Sequence, residues 1–181
     1  MSHEGVVFMI HPIKHFITIT KHRHLVIKLG TKCGIFWQVL FHDLSKYSFI
    51  EFKTGAKYYQ GSASPNSKEI ELFGYSKAWL HHKGRNKHHF EYWTSYDKNT
   101  SQLVALEMPL CYVKEMFCDR IAATKIYQKK QYKPEAVLNY YLSKGEDKFL
   151  HKNTATLLES WMHMLIEMGE KETLQEIKKI K

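Results

Sequence analysis

Apolar residues recur at intervals of three and four along almost the whole of this chain, and that period commits it to amphipathic helices packed on one another. In "VKEMFCDRIAATKIY" the residues Val113, Met116, Phe117, Arg120 and Ile121 fall at helical spacing. Pro109 suits the first turn of that helix, which the pattern extends to about Lys129. Pro134 opens another helix and Gly145 closes it; "NTATLLESWMHMLIEMG" is a further one, capped by Asn153 or Thr154 and stopped by Gly169, with a short basic helix after it. The lysines of "EIKKIK" read as its solvated end, where they complement the helix dipole.

Upstream, Thr20 can cap a helix to about Thr31, with Leu25, Ile27 and Leu29 partly buried. The Gly30 to Gly34 segment separates it from a helix ending in "VLFHDLS". Ser48 and Glu51 form a capping box for "FIEFKTGAKYYQ". After the loop "GSASPNS", Asn66 with Glu69 starts a helix reaching about His82, punctuated by Gly84 and Asn86. Only "VVFMI" and "FITIT" read as strands, and "YDKNTS" reads as a polar turn. The expected fold class is all-α, a single-domain helical bundle over residues 1–181, because no linker or repeat divides the chain.

At 181 residues and 44% hydrophobic content the chain can bury a sizeable core. Its longest apolar runs fall far short of the roughly 18 to 20 residues a membrane span needs, and the N-terminus lacks the apolar core of a signal peptide. The reading is a cytoplasmic protein with no membrane partner. Cys33, Cys111 and Cys118 are odd in number with no CxxC pair, so they are expected as free thiols. A net charge of +9 favours anionic ligands without saying which.

The ionisable residues are unevenly placed on this frame. His42 and Asp43 end the apolar run "GIFWQVLFHD", where a buried helix calls for another hydrophobic residue. Four histidines, His81, His82, His88 and His89, crowd into "WLHHKGRNKHHFEYW"; His22 and His24 flank Arg23; Asp119 sits among the apolar turns of a long helix. A charged, unpaired Asp there costs several kcal/mol, so Asp119 needs a cation. Imidazole nitrogens with two carboxylates are the donor types of a divalent metal site, which would account for the burial.

The order His24, His42-Asp43, the central histidines and then Asp119, on successive helices, resembles the ligand series of the HD-domain metal-dependent phosphohydrolase superfamily. "HDLSK" resembles that superfamily's common His-Asp-x-x-Lys form. The set "HDLSKYSFIEF", "AWLHHKGRNKHHFEYW" and "VKEMFCDRIAA" is similar, more closely, to bacterial and phage proteins known as a domain of unknown function. The likeness covers about residues 15 to 130, a metal-site core on which helices of residues 134 to 181 pack. The 18-residue gap from His24 to His42 is short for that series and leaves His22 or His15 as substitutes for His24. Each histidine pair leaves its choice open, with His82 and His89 preferred.

The resemblance implies one or two divalent transition ions (Mn, Fe, Zn or Co) on His24, His42, Asp43, His82, His89 and Asp119. The reaction implied is hydrolysis of a nucleotide or other small phosphate ester through a metal-activated water, with Asp43 and Lys46 as the catalytic residues. Lys46 and Arg85 would bind the phosphate, with Lys83 a weaker candidate and Glu51 an acid or base already explained by its capping box. A diiron oxygenase on the same ligands is the first alternative. The second is a non-enzymatic nucleic-acid module using the basic charge and the rings of Tyr58, Tyr59 and Trp93. It ranks last, because spread charge does not explain acidic residues inside helices.

Overall fold

The structure, a computed structural model, describes residues 9–181. Nine α-helices and one two-stranded hairpin form among the described residues. The first helix, α1 (Pro12–Lys32), starts earlier than Thr20 because Pro12 occupies its first turn, where a missing N–H leaves no bond unmade. It therefore absorbs "FITIT", which is helix and not strand; the Thr18 hydroxyl donates to the Lys14 carbonyl at 2.9 Å, satisfying itself within the helix. "VVFMI" falls largely outside the described residues, and its last two positions carry no strand.

The run ending in His42-Asp43 is not one helix. It is the single turn α2 (Phe36–Val39), an irregular corner, and a 3₁₀ turn over Leu44–Tyr47. Then come α3 (Phe49–Lys57), α4 (Pro65–Phe73) and α5 (Lys77–Lys83). The helix expected to run unbroken to His82 is split between α4 and α5 at Gly74, whose φ of 77° ends the first piece. Ser76 restarts it, accepting from the Trp79 amide at 2.9 Å. The polar turn around Lys98 is the tip of an antiparallel hairpin, β1 (Thr94–Asp97) with β2 (Gln102–Ala105), Thr94 opposite Ala105.

The remaining helices are α6 (Leu110–Gln128), α7 (Glu135–Lys144), α8 (Lys152–Met168) and α9 (Glu170–Lys179). Helix α1 packs on α2, α3, α6 and α9, while α6 also meets α7 and α8. Val26 and Leu29 of α1, Phe117 and Ile121 of α6, Trp161 and Leu165 of α8, and Leu174 and Ile177 of α9 belong to one continuous buried cluster. Each such side chain contributes about 1.5–3 kcal/mol on burial. Phe117 and Trp161 meet edge to face at 5.8 Å. The cysteines are free, Cys33 and Cys118 buried and Cys111 partly so. No helix among the described residues is long and apolar enough to cross a membrane.

Helices α1, α2 and α3 approach closely at two glycines. A Cβ on Gly30 would stand 2.4 Å from Val39 Cγ1, and one on Gly55 2.1 Å from His15 Nε2. Gly30 therefore sets how near α2, and with it His42-Asp43, lies to α1. Alanine at position 30 gains about 1 kcal/mol of helix propensity but overpacks this contact, a fault that costs about 1–3 kcal/mol. Gly30→Ala is expected to lower the midpoint of urea unfolding; a raised midpoint would show that the α1–α2 contact has slack.

Candidate metal centre

Asp43 owes its position to its backbone. With φ 55° and ψ 24° it is left-handed, a conformation that the short polar side chain of Asp tolerates better than most. The twist ends the α2 corner and starts the 3₁₀ turn, where the Lys46 amide donates to the Asp43 carbonyl at 3.0 Å. The carboxylate is thereby turned into the space between α1, α5 and α6, and is almost fully buried.

Imidazoles surround it on both sides. Oδ2 lies 3.2 Å from His42 Nε2, 3.6 Å from His22 Nε2 and 2.6 Å from Lys46 Nζ. Oδ1 lies 3.2 Å from His82 Nε2 and 3.5 Å from His88 Nε2. Asp119, from α6, is 2.9 Å from His22 Nε2 and 3.6 Å from His42 Nε2. Two donor sets share Asp43: His22, His42, Asp43 and Asp119, and Asp43, His82, His88 and His89, each with its ligand atoms within 4.8 Å of one another. Asp43 Oδ1 and the Nε2 atoms of His88 and His89 are buried without a well-directed hydrogen bond. Buried polar atoms are almost always satisfied, so these unsatisfied atoms of the second set fit an ion between them.

A second layer of carboxylates orients the rings. Glu115 Oε1 takes His42 Nδ1 at 2.8 Å and His88 Nδ1 at 3.2 Å, and Gln38 Nε2 donates to its other oxygen at 2.7 Å. Glu51 takes His82 Nδ1 at 2.8 Å and His81 Nδ1 at 2.6 Å. Holding Nδ1 in this way leaves Nε2 of His42, His82 and His88 facing Asp43, the tautomer a ligand needs.

The charges are unequal. Asp43, Asp119, Glu115 and Glu51 face the single ammonium of Lys46, so protons or metal ions must supply the balance. Burial pushes His42 down, but the Asp43 charge and hydrogen bonds to Asp119, Asp43 and Glu115 overcome it and raise its pKa well above 6.5. His82 is raised in the same way, Asp43 and Glu51 outweighing burial. Burial opposes ionisation of Asp43 and Asp119, yet the histidines around both, with Lys46 beside Asp43, hold them well below the usual range. Glu115 is drawn to about 2 against burial by His42 and His88. His89 is the exception: burial, then the charges of His88 and His82, keep it neutral.

Of the residues singled out from sequence, His42, Asp43, His82, His89 and Asp119 come together. His24 does not; it is exposed, and His22, two positions earlier, carries the α1 imidazole inward. His15 is buried against Phe52 on the cavity wall, outside both donor sets. Arg85 is exposed, donates to the His81 carbonyl and does not line the cavity, so it is not positioned to bind phosphate. Glu51 forms no capping box: the Ser48 hydroxyl is unpartnered and Glu51 holds two histidines instead. His88, which the sequence did not prefer over His89, points inward as well. Glu115 was not anticipated, although it lies one helical turn before Asp119. Tyr58 is buried, Tyr59 lines the cavity and Trp93 packs on the core edge, so these rings form no exposed stacking surface.

Asp119, His22, His82, His89 and Lys46 open onto a cavity of about 730 Å³, within the size range of small-molecule sites. His15 on its wall is lowered to about 4 by burial and then by the Lys46 charge. A model of the family described as "Family of unknown function (DUF5662)" matches residues 11–164. No curated protein and no solved structure matches the chain.

Linkage gives the pH dependence of the metal-free protein. The raised values of His42 and His82 contribute stability that is full below 6.5 and lost as pH rises through their folded values. The depressed carboxylates contribute above about 4 and lose that contribution as pH falls through their folded values. Metal-free protein should thus lose stability from neutral to alkaline pH in urea titrations, and metal binding should release protons. Calorimetry at pH 6.5 should show a binding enthalpy that varies with buffer ionisation enthalpy; no variation would contradict this charge balance. Glu115→Gln is expected to weaken metal affinity by about 10–100-fold.

Proposed function

Because the chain belongs to the DUF5662 family, whose description states no activity, we propose a function from the site itself: metal-dependent hydrolysis of a nucleotide or other small phosphate ester. The observation that carries this reading is the buried Asp43 carboxylate, shared by two His/Asp donor sets beside an ammonium that lines a cavity. The first set offers two imidazoles and two carboxylates, the second three imidazoles and the shared carboxylate. These donor types suit Mn, Fe, Zn or Co. The likeness to the HD-domain series also supports the reading, with His22 in the place given to His24. When bound, such ions supply Lewis acidity that activates water and polarises a phosphoryl oxygen.

The chain's own residues do the rest. Glu115 and Glu51 fix the ring orientations, so the donors are preorganised before any ion arrives. Lys46 lines the cavity with its charge beside Asp43, where it can meet a phosphate oxygen as negative charge develops. The 3₁₀ turn keeps it there, since residues three apart in such a turn lie on the same side.

The test is phosphate release from a panel of phosphomonoesters by metal-loaded protein. Asp43→Ala should abolish metal binding and release together. Lys46→Ala should keep the metal and lower kcat/KM by about 10- to 1000-fold, as for loss of one group stabilising transition-state charge. Loss of metal in the lysine variant would assign Lys46 to structural support. Oxygen consumption by iron-loaded protein, without phosphate release from any ester, would replace the hydrolase by the oxygenase reading.

A further inference from the structure

The cavity extends well beyond the metal donors. Its floor is one face of α6: Asp119, Ala123 and Tyr127 follow at four-residue intervals and all line it. Eight residues of helix span about 12 Å, so the floor runs that far from the donor end. The opposite wall comes from α7 and the turn after it, through Ala136, Tyr140, Lys144 and Phe149. Ala123 and Ala136 leave the slot room.

Two observations define what fits the far end. Tyr140 and Phe149 line the cavity yet are 56% and 62% exposed, a high fraction for large rings in a recess. Neither lies in the core cluster, and Lys144 Nζ stands 5.6 Å from the centre of the Tyr140 ring. Arg120 on this lining is paired with Glu146, while the Lys144 ammonium stands beside the Tyr140 ring. A flat, neutral ring would cover the apolar surface of the two side chains and stack.

We propose that Tyr140 and Phe149 are specificity residues that stack on a planar ring in the substrate's alcohol portion. This rests on the hydrolase reading for the phosphate end. The ring can belong to a nucleoside or to a simple aryl group, which share this chemistry.

The test is calorimetric binding to the metal-loaded protein, with adenosine monophosphate, phenyl phosphate, ribose 5-phosphate and inorganic phosphate as probes. Ring-bearing monoesters are expected to bind about tenfold or more tighter than ribose 5-phosphate, in keeping with stacking on aromatic side chains. Both rings are largely exposed, so Tyr140→Ala with Phe149→Ala should fold and should remove that preference. Ala123→Leu, which narrows the slot, should weaken adenosine monophosphate more than inorganic phosphate. Equal binding of adenosine monophosphate and phenyl phosphate would identify the ring as any aryl group, and tighter adenosine monophosphate would identify a nucleoside. The proposal is overturned if ribose 5-phosphate binds as well as the ring-bearing probes, if the double variant weakens all probes equally, or if none binds. Ring-dependent binding without phosphate release from any monoester would sink the hydrolase reading and leave the ring site standing.

Discussion

The Asp43 carboxylate is a buried charge that one lysine does not fully pair, and the surrounding structure is organised by that constraint. A carboxylate taken out of water costs several kcal/mol unless cations and hydrogen bonds compensate it. Here the compensation comes from imidazoles on α1, on the corner before Asp43, on α5 and on the turn after α5, with Lys46 from the 3₁₀ turn. Each ring is then fixed by a further carboxylate or by Asp119. This accumulation of acids favours protonated histidines in the metal-free site, protons that binding of a metal ion would displace.

The helical frame makes the convergence possible. Helices α1 and α6 lie side by side on the core shared with α8 and α9, and their site-facing sides bring His22 and Asp119 to 2.9 Å. The small contact at Gly30 draws α2 onto α1 and sets the depth of His42. On α6, Phe117 and Ile121 enter the core while Glu115 and Asp119 reach the site, so one helix serves both and neither face can slide without the other.

Helix positions were largely legible in the sequence because proline and glycine punctuate it at Pro109, Pro134, Gly145 and Gly169. The site was legible where acids or histidines interrupt apolar runs, as at His42, Asp43 and Asp119. The choice of His24 failed on helix phase. Buried Ile19, Val26 and Leu29 share a face with His22, while Leu25 and Ile27 are partly buried at the edge of the core, as expected, and His24 falls on the exposed side. His88 lies in an irregular turn where no periodicity predicts direction. Glu51 fitted a capping box so well that its longer-range role was hidden, and Asp43's left-handed backbone has no local signature beyond being Asp.

The account's central claim is that Asp43 is shared between two cation sites. Elemental analysis of untagged protein, loaded with manganese, iron, zinc or cobalt and desalted, tests it most directly. About two ions per chain are expected for the best-fitting metal, falling for both sites together in Asp43→Asn, as a shared ligand requires. A chain that retains no ion with any of these metals, or an Asp43→Asn variant that keeps the full complement, would contradict it.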